Sequence, residues 1–122
     1  MLECLYVGLG GFVGAVCRYL VGLIPIKIES GFPLQTFAIN VVGAFAVGVV
    51  AGLASRQGGL SHNAVLFLKV GVCGGFTTFS AFSLETVTLI RNGAYGVALA
   101  YALLSVILGV AAAFGALMLF RD

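Results

Sequence analysis

Hydrophobic residues form four long runs along the chain, and short stretches with charged and turn-forming residues separate them. The runs cover about residues 3–24, 32–54, 64–91 and 94–120. Each run reaches the ~20 residues that a helix needs to cross the hydrocarbon layer of a membrane. The connections read IPIKIESGFP, SRQGGLSHN and RNG, and such residues are typical of turns. The pattern predicts an all-α membrane protein with four transmembrane helices in a single domain, residues 1–122.

The composition supports this class. Of the 122 residues, 61% are hydrophobic and 8% are charged, and the mean hydropathy is +1.20. In ordinary soluble domains roughly a quarter of the residues are charged. The chain starts with the short acidic stretch MLE and lacks a small-residue cleavage site after a short apolar core. We therefore expect the first run to be a retained helix and not a signal peptide.

The basic residues are divided evenly between the two membrane faces, if the four helices simply alternate in direction. One face receives three of them, Arg56, Lys69 and Arg121, and the other receives Arg18, Lys27 and Arg91. Orientation normally follows an excess of Lys and Arg on the cytoplasmic side, so a balanced count favours insertion in both directions. This balance predicts an antiparallel, dual-topology homodimer. The alternative is that the depth of one residue fixes a single orientation.

The third run contains a segment that disfavours a continuous helix. As one helix it would extend about 40 Å, whereas the hydrocarbon layer is ~30 Å thick. Gly74 and Gly75 lie near its middle, and Thr77 and Thr78 follow with hydroxyls that compete for backbone partners. We predict a break near residues 74–78, in mid-membrane. Two freed carbonyls per chain, doubled by a two-fold axis, would suit a small hard cation such as sodium.

Aromatic and hydroxyl side chains follow this segment with helical spacing. Phe79 and Phe82 stand at i and i+3, as do Ser80 and Ser83. The positive edge of a phenyl ring can stabilise an anion without trapping it as a fixed cation would. The sequence therefore marks these four residues as candidates for an ion pathway. The alternative for the phenylalanine pair is ordinary core packing.

Other polar residues occur inside the apolar runs. Thr36 and Asn40 are spaced i, i+4 in the second run, and Tyr101 and Ser105 repeat that spacing in the fourth. Together they supply NH and OH donors to a polar track, although each pair alone could simply bond a neighbouring helix. Arg18 and Glu85 lie near the ends of their runs. They could form a salt bridge or steer ions at a vestibule.

Small residues recur at four-residue intervals, which favours close helix packing in lipid. The glycine pairs are Gly10 with Gly14, Gly48 with Gly52, and Gly71 with Gly75.

Three stretches resemble signature sequences of the Fluc (CrcB) family of fluoride channels. They are GGFVGAVCRY at 10–19, TFAINVVGAF at 36–45 and GGFTTFSAFS at 74–83. The resemblance covers essentially the whole chain. It implies an antiparallel dimer with two fluoride pathways in a bacterial or archaeal cell (inner) membrane. It also implies a structural sodium ion, not transported, that main-chain oxygens of Gly74 and Thr77 hold at the dimer centre.

By the same resemblance, Phe79 and Phe82 form an aromatic ladder beside the anion, and Asn40 is the pore amide. The hydroxyl track consists of Thr78, Tyr101 and Ser105. Arg18 and Glu85 match polar positions of the family. We assign these two residues, together with Thr36, to a vestibule or to helix pairing. Many relatives carry a second helix-four hydroxyl one turn past Ser105, where this chain has Gly109. The far end of the track therefore differs, and water could fill it.

The predicted function is passive, fluoride-selective flow that empties the cytoplasm of fluoride. The main alternative is a small dual-topology, proton-coupled multidrug exporter, which needs an ionisable carboxylate within the membrane. A non-transporting scaffold would explain the glycines but not the clustered donors. An enzyme is disfavoured because His62, the sole histidine, has no Cys or Asp nearby in the sequence. Nucleic acid is not expected as a partner at a net charge of +2.

Overall fold

The computed structural model describes residues 1–121 and is all-helical. Helix α1 covers Leu2–Gly22 and α2 covers Leu34–Ser55. The third span runs over His62–Arg91 in several parts, and the last long helix is Tyr95–Met118. All four spans are long and apolar enough to cross a membrane, which confirms the predicted fold class of four apolar helices.

The third span changes its helical form twice. It starts as α-helix at His62–Val65, continues as π-helix at Leu66–Cys73 and ends as α-helix at Gly74–Phe76. We call this part, residues 62–76, α3. Thr77 and Thr78 then have extended backbone angles (φ −80°, ψ 157° and φ −148°, ψ 116°). The π-helical turns were not predicted, because the sequence there reads as an ordinary apolar helix.

Helix α4, Phe79–Arg91, starts anew after this interruption. The hydroxyl of Thr78 accepts a hydrogen bond from the backbone N–H of Ala81 at 3.2 Å, which is the interaction of an N-cap residue. A threonine at this position thus supplies a partner for an amide that the new helix leaves unpaired. Helix α5 is Tyr95–Met118, and Gly93, with φ +81°, makes the tight turn before it.

Glycines bring the helix backbones into direct contact. A Cβ built on Gly71 of α3 would lie 2.7 Å from the Cα of Gly10 on α1. A Cβ on Gly48 of α2 would lie 2.6 Å from the carbonyl oxygen of Ala113 on α5. Larger residues would force these helices apart, so the four-residue glycine spacing is explained by close packing of α1 on α3 and of α2 on α5.

A small buried cluster lies between α4 and α5. Leu89, Ala98 and Tyr101 form it, and several aromatic side chains pack against it, among them Phe32 and Phe82. Many large apolar side chains elsewhere are exposed, for example Phe12 at 69%. Such continuous apolar surface suits lipid or a second protein chain.

Candidate ion pathway

The interruption between α3 and α4 is held by one side chain from α2. Asn40 donates through Nδ2 to the carbonyl oxygen of Thr78 at 3.0 Å. The backbone N–H of Thr78 donates to Oδ1 of the same carboxamide at 2.8 Å. The carboxamide therefore binds both backbone groups of the residue that caps α4, and these hydrogen bonds offset the cost of an asparagine within an apolar span.

This pairing releases carbonyl groups from the helical ladder. In a continuous α-helix the N–H of Thr78 would donate to the carbonyl of Gly74, but here it donates to Asn40. The carbonyl of Thr77 lies before the N-cap of α4 and thus outside that helix. The hydroxyl of Thr77 is not free, because it donates to the carbonyl of Cys73 at 3.0 Å.

The two released carbonyls fit a hard cation as far as donor chemistry is concerned. Unwound backbone carbonyls are the groups that coordinate Na⁺ in transporters with broken helices. Among the described residues, no group of three or more His, Cys, Asp or Glu side chains is placed to hold a metal ion. Two oxygens from one chain leave most coordination positions unfilled, so a complete cation site here requires further oxygens.

A cavity of about 370 Å³ lies beside the interruption, between α2 and α3. It brings together five of the residues that the sequence marks as candidates. Those on the cavity wall are Asn40, Gly74, Thr77, Thr78 and Phe79. Lys69, from the π-helical part of α3, also lines it. From the sequence, Lys69 enters only the count of basic residues, because nothing in the local pattern places it near the motif.

The two motif phenylalanines lie next to each other. The ring centroids of Phe79 and Phe82 are 5.7 Å apart with an interplanar angle of 40°, and Phe82 lies 5.0 Å from the ring of Tyr101. Phe79 is 79% exposed, whereas Phe82 is half-buried. Packing within the chain accounts for Phe82. It does not account for Phe79, whose ring is largely exposed.

Glu85 joins three helices through its carboxylate. Thr36 on α2 donates to Oε2 at 2.9 Å, and Tyr101 on α5 donates to Oε1 at 3.1 Å. The sequence marks all three residues as candidates but does not connect them. A carboxylate in an apolar span needs donors, and that rule alone could have pointed to this network.

Arg18 does not pair with Glu85, contrary to the salt bridge considered from the sequence. Its Nε donates instead to the carbonyl oxygen of Gly75, near the end of α3, at 3.2 Å. Arg18 and Glu85 nevertheless both line a second cavity, of about 360 Å³. Thr78 lies on the wall of this cavity as well as on that of the first.

The three candidate serines differ in exposure and in hydrogen-bond partners. The hydroxyl of Ser105 on α5 is buried and makes no hydrogen bond within residues 1–121. Ser80 is exposed, with Oγ 3.3 Å from the hydroxyl of Thr78. Ser83 is half-buried one turn further along α4. Ser105 is thus the hydroxyl with an open requirement for a partner.

These features define a membrane protein of four apolar spans, with a third span that is interrupted and fixed by an amide from the second. The chain belongs to the family described as CrcB-like protein, Camphor Resistance (CrcB), whose pattern it matches over residues 5–117. This confirms the family resemblance.

Curated relatives carry the name fluoride-specific ion channel FluC. The protein of Phenylobacterium zucineum is 50% identical over 99% of this chain and 97% of its own. That of Caulobacter vibrioides is 46% identical over 99% and 97%. That of Methylobacillus flagellatus is 43% identical over 90% and 88%. All three similarities are to bacterial proteins named as channels and cover nearly the full length of each chain.

Proposed function

We propose that the protein is a passive, fluoride-selective channel that exports fluoride from the cytoplasm and so reduces its toxicity. The observation that carries the proposal is the meeting of the Asn40 amide, Thr78 and an exposed Phe79 at the wall of one cavity. The names of the relatives support fluoride as the ion and a channel, not an enzyme, as the class.

The donor inventory suits a small, tightly hydrated anion. A carboxamide has two N–H donors, and Asn40 uses one on Thr78, so the second can reach an anion. Ser105 offers a hydroxyl that has no hydrogen-bond partner among residues 1–121. Tyr101 gives its only proton to Glu85 and therefore acts by positioning that carboxylate. Weak neutral donors allow release as well as binding, which conduction requires.

The phenylalanine rings complete this environment. The ring of Phe79 is exposed, and the edge of a phenyl ring carries partial positive charge. Its neighbour Phe82 is fixed against Tyr101. In the proposed pathway the ring edges replace part of the ion's hydration shell. They add no formal charge that would hold the ion in place.

We further propose that two copies assemble in opposite orientations in the cell (inner) membrane, and that the carbonyls of Gly74 and Thr77 from both hold one structural sodium ion. The balanced count of basic residues supports dual insertion. Gly74 is exposed on the cavity wall, so a second chain can approach it. When bound, the ion would supply a fixed positive centre that joins the two interruptions; it would not be transported.

The multidrug-exporter alternative gains no support from the names of the relatives. In addition, both carboxylate oxygens of Glu85 already accept hydrogen bonds. A proton-exchanging carboxylate would have to give up these donors in each cycle. Proton-driven uptake of a cationic dye such as ethidium would favour this alternative.

A fluoride-electrode assay on protein in liposomes tests the proposal. Vesicles loaded with potassium fluoride should release fluoride when valinomycin carries the balancing potassium, and matched chloride-loaded vesicles should not release chloride. The release should need no proton gradient. Equal release of both anions, or of neither, would refute the proposed function. Single-cysteine labelling from one side of the membrane tests dual insertion, which predicts two equal populations.

A further inference from the structure

The cavity beside the interruption contains one charged residue, and its charge is not balanced there. Among the described residues that line it, only Lys69 is charged. Lys69 is exposed, and no carboxylate of residues 1–121 forms a salt bridge with it. In the second cavity, by contrast, Arg18 shares the wall with Glu85.

The position of Lys69 in the chain makes this charge unusual. It lies within the third apolar span, seven positions after His62. An ionisable residue inside such a span is costly and usually serves transport or binding. The flexible stem of a lysine lets its ammonium group reach toward water from this depth, so a water-filled cavity near a membrane face is a suitable place for it.

The π-helical turns of α3 connect Lys69 to the interruption. The backbone N–H of Gly74 donates to the carbonyl of Lys69, five residues earlier, where an α-helix would use residue 70. The π-helical turns thus carry Lys69 and end directly before Gly74. Both residues line the cavity together with Asn40 and Phe79. A cation and the neutral donors of the pathway share one wall.

We propose that Lys69 recruits anions to this cavity, which stays open to water between the two copies and serves as one mouth of the ion pathway, and that it thereby sets the rate of fluoride permeation at low ionic strength. The inference rests on the proposed channel function. A cavity with charge of one sign and low-dielectric walls raises the local concentration of counter-ions. Lys69 acts at the mouth and does not discriminate between anions, since the neutral donors deeper in the pathway do so.

The test measures fluoride efflux for Lys69→Gln, Lys69→Arg and Arg121→Gln. Arg121 is exposed and lines none of the cavities described above. Its replacement removes the same charge from the same predicted membrane face, so it controls for altered insertion. Efflux is measured at about 0.01 M and about 1 M ionic strength, where the Debye length is ~30 Å and ~3 Å. Sodium is kept constant, and N-methylglucamine gluconate supplies the added salt.

We expect Lys69→Gln to conduct on the order of tenfold more slowly than Arg121→Gln at low salt, and equally fast at high salt. Lys69→Arg should match the unchanged protein. A rate of Lys69→Gln that equals that of Arg121→Gln at low salt would overturn the proposal, as would a deficit that salt does not reduce. Should Lys69→Gln not fold, Lys69→Glu provides the same comparison with a larger expected deficit. Absence of fluoride flux in the unchanged protein would instead refute the channel function itself.

Discussion

The carboxamide of Asn40 pairs with both backbone groups of Thr78, as donor at 3.0 Å and as acceptor at 2.8 Å. One side chain of α2 thus accepts from the Thr78 N–H, which has no helical partner, and also donates to the Thr78 carbonyl. The pairing separates the ends of α3 and α4 and frees the carbonyl of Gly74. The interruption is therefore a property of two spans together, and replacement of Asn40 should affect both folding and transport.

Replacement of Asn40 by Asp should lower fluoride efflux strongly. A carboxylate keeps an acceptor for the N–H of Thr78 but loses the donor to its carbonyl, and its charge repels an anion. Loss of this hydrogen bond costs about 0.5–1.5 kcal/mol, and the new carboxylate faces the Thr78 carbonyl, so thermal unfolding in detergent should also shift downward. Asn63→Asp, at an exposed position, is the control and should change neither quantity. Normal efflux in Asn40→Asp would exclude the amide from the pathway.

The two motif phenylalanines should respond differently to replacement by isoleucine. Phe82 packs against Tyr101, so Phe82→Ile should lower both stability and fluoride efflux. Phe79 is 79% exposed, so Phe79→Ile should lower efflux with little change in unfolding temperature. Phe12→Ile, at an exposed ring on α1, controls for loss of an aromatic at a lipid-facing position. Unchanged efflux in both motif variants would show that the rings serve packing alone.

Much of the fold follows from the sequence, because apolar length and turn residues fix where a helix can cross a membrane. The apolar runs and the RNG turn needed no tertiary information. The partner of Thr78 did, since Asn40 lies 38 positions earlier and local propensity does not report such a contact. The π-helical turns at Leu66–Cys73 also escaped prediction, since they depend on how α3 accommodates the interruption and its contact with α1.

The sequence marks candidate residues but does not predict their contacts. Thr36, Glu85 and Tyr101 are each candidates, but their common hydrogen-bond network depends on the relative rotation of three helices. The charges of Arg18 and Glu85 suggest a salt bridge, yet Nε of Arg18 donates to the Gly75 carbonyl. Helix packing, which spacing alone does not fix, decided these partners.

Gly10→Ala should destabilise the protein, whereas Gly8→Ala in the same helix should not. A Cβ at Gly10 would lie 2.8 Å from the Cα of Gly71, while a Cβ at Gly8 would meet no described atom within 4 Å apart from its chain neighbours and the backbone of its own helix. Overpacking costs about 1–3 kcal/mol, and alanine is a better helix former than glycine by about 1 kcal/mol. Unfolding in detergent, followed by circular dichroism, measures both. Equal stability of the two variants would contradict the close contact of α1 with α3.

The proposed sodium site should depend on main-chain oxygens and not on the hydroxyl of Thr77. That hydroxyl donates to Cys73, so Thr77→Val removes it while it keeps the carbonyl and the side-chain shape. Fluoride efflux of the unchanged protein should fall when N-methylglucamine replaces sodium, and Thr77→Val should show the same dependence. Sodium dependence that disappears in Thr77→Val would identify the hydroxyl as a ligand. Efflux that never depends on sodium would remove the ion from the proposal.

The Glu85 network should show energetic coupling between α2 and α5. Thr36→Val and Tyr101→Phe each remove one hydroxyl that donates to the carboxylate, and both keep the side-chain shape. A hydrogen bond to a charged group contributes about 1.5–3 kcal/mol, so each variant should unfold at lower temperature.

The double variant distinguishes a shared carboxylate from two independent contacts. When one hydroxyl is lost, the other is the only one of the two that still donates to Glu85. Removal of this second hydroxyl should therefore lower the stability more than it does in the unchanged protein. Coupling of about 0.5–3 kcal/mol is usual for residues in one network. Tyr95→Phe, at an exposed tyrosine on α5, should be neutral and additive with Thr36→Val. Additivity of Thr36→Val with Tyr101→Phe would mean that Glu85 does not join the two helices through a common charge.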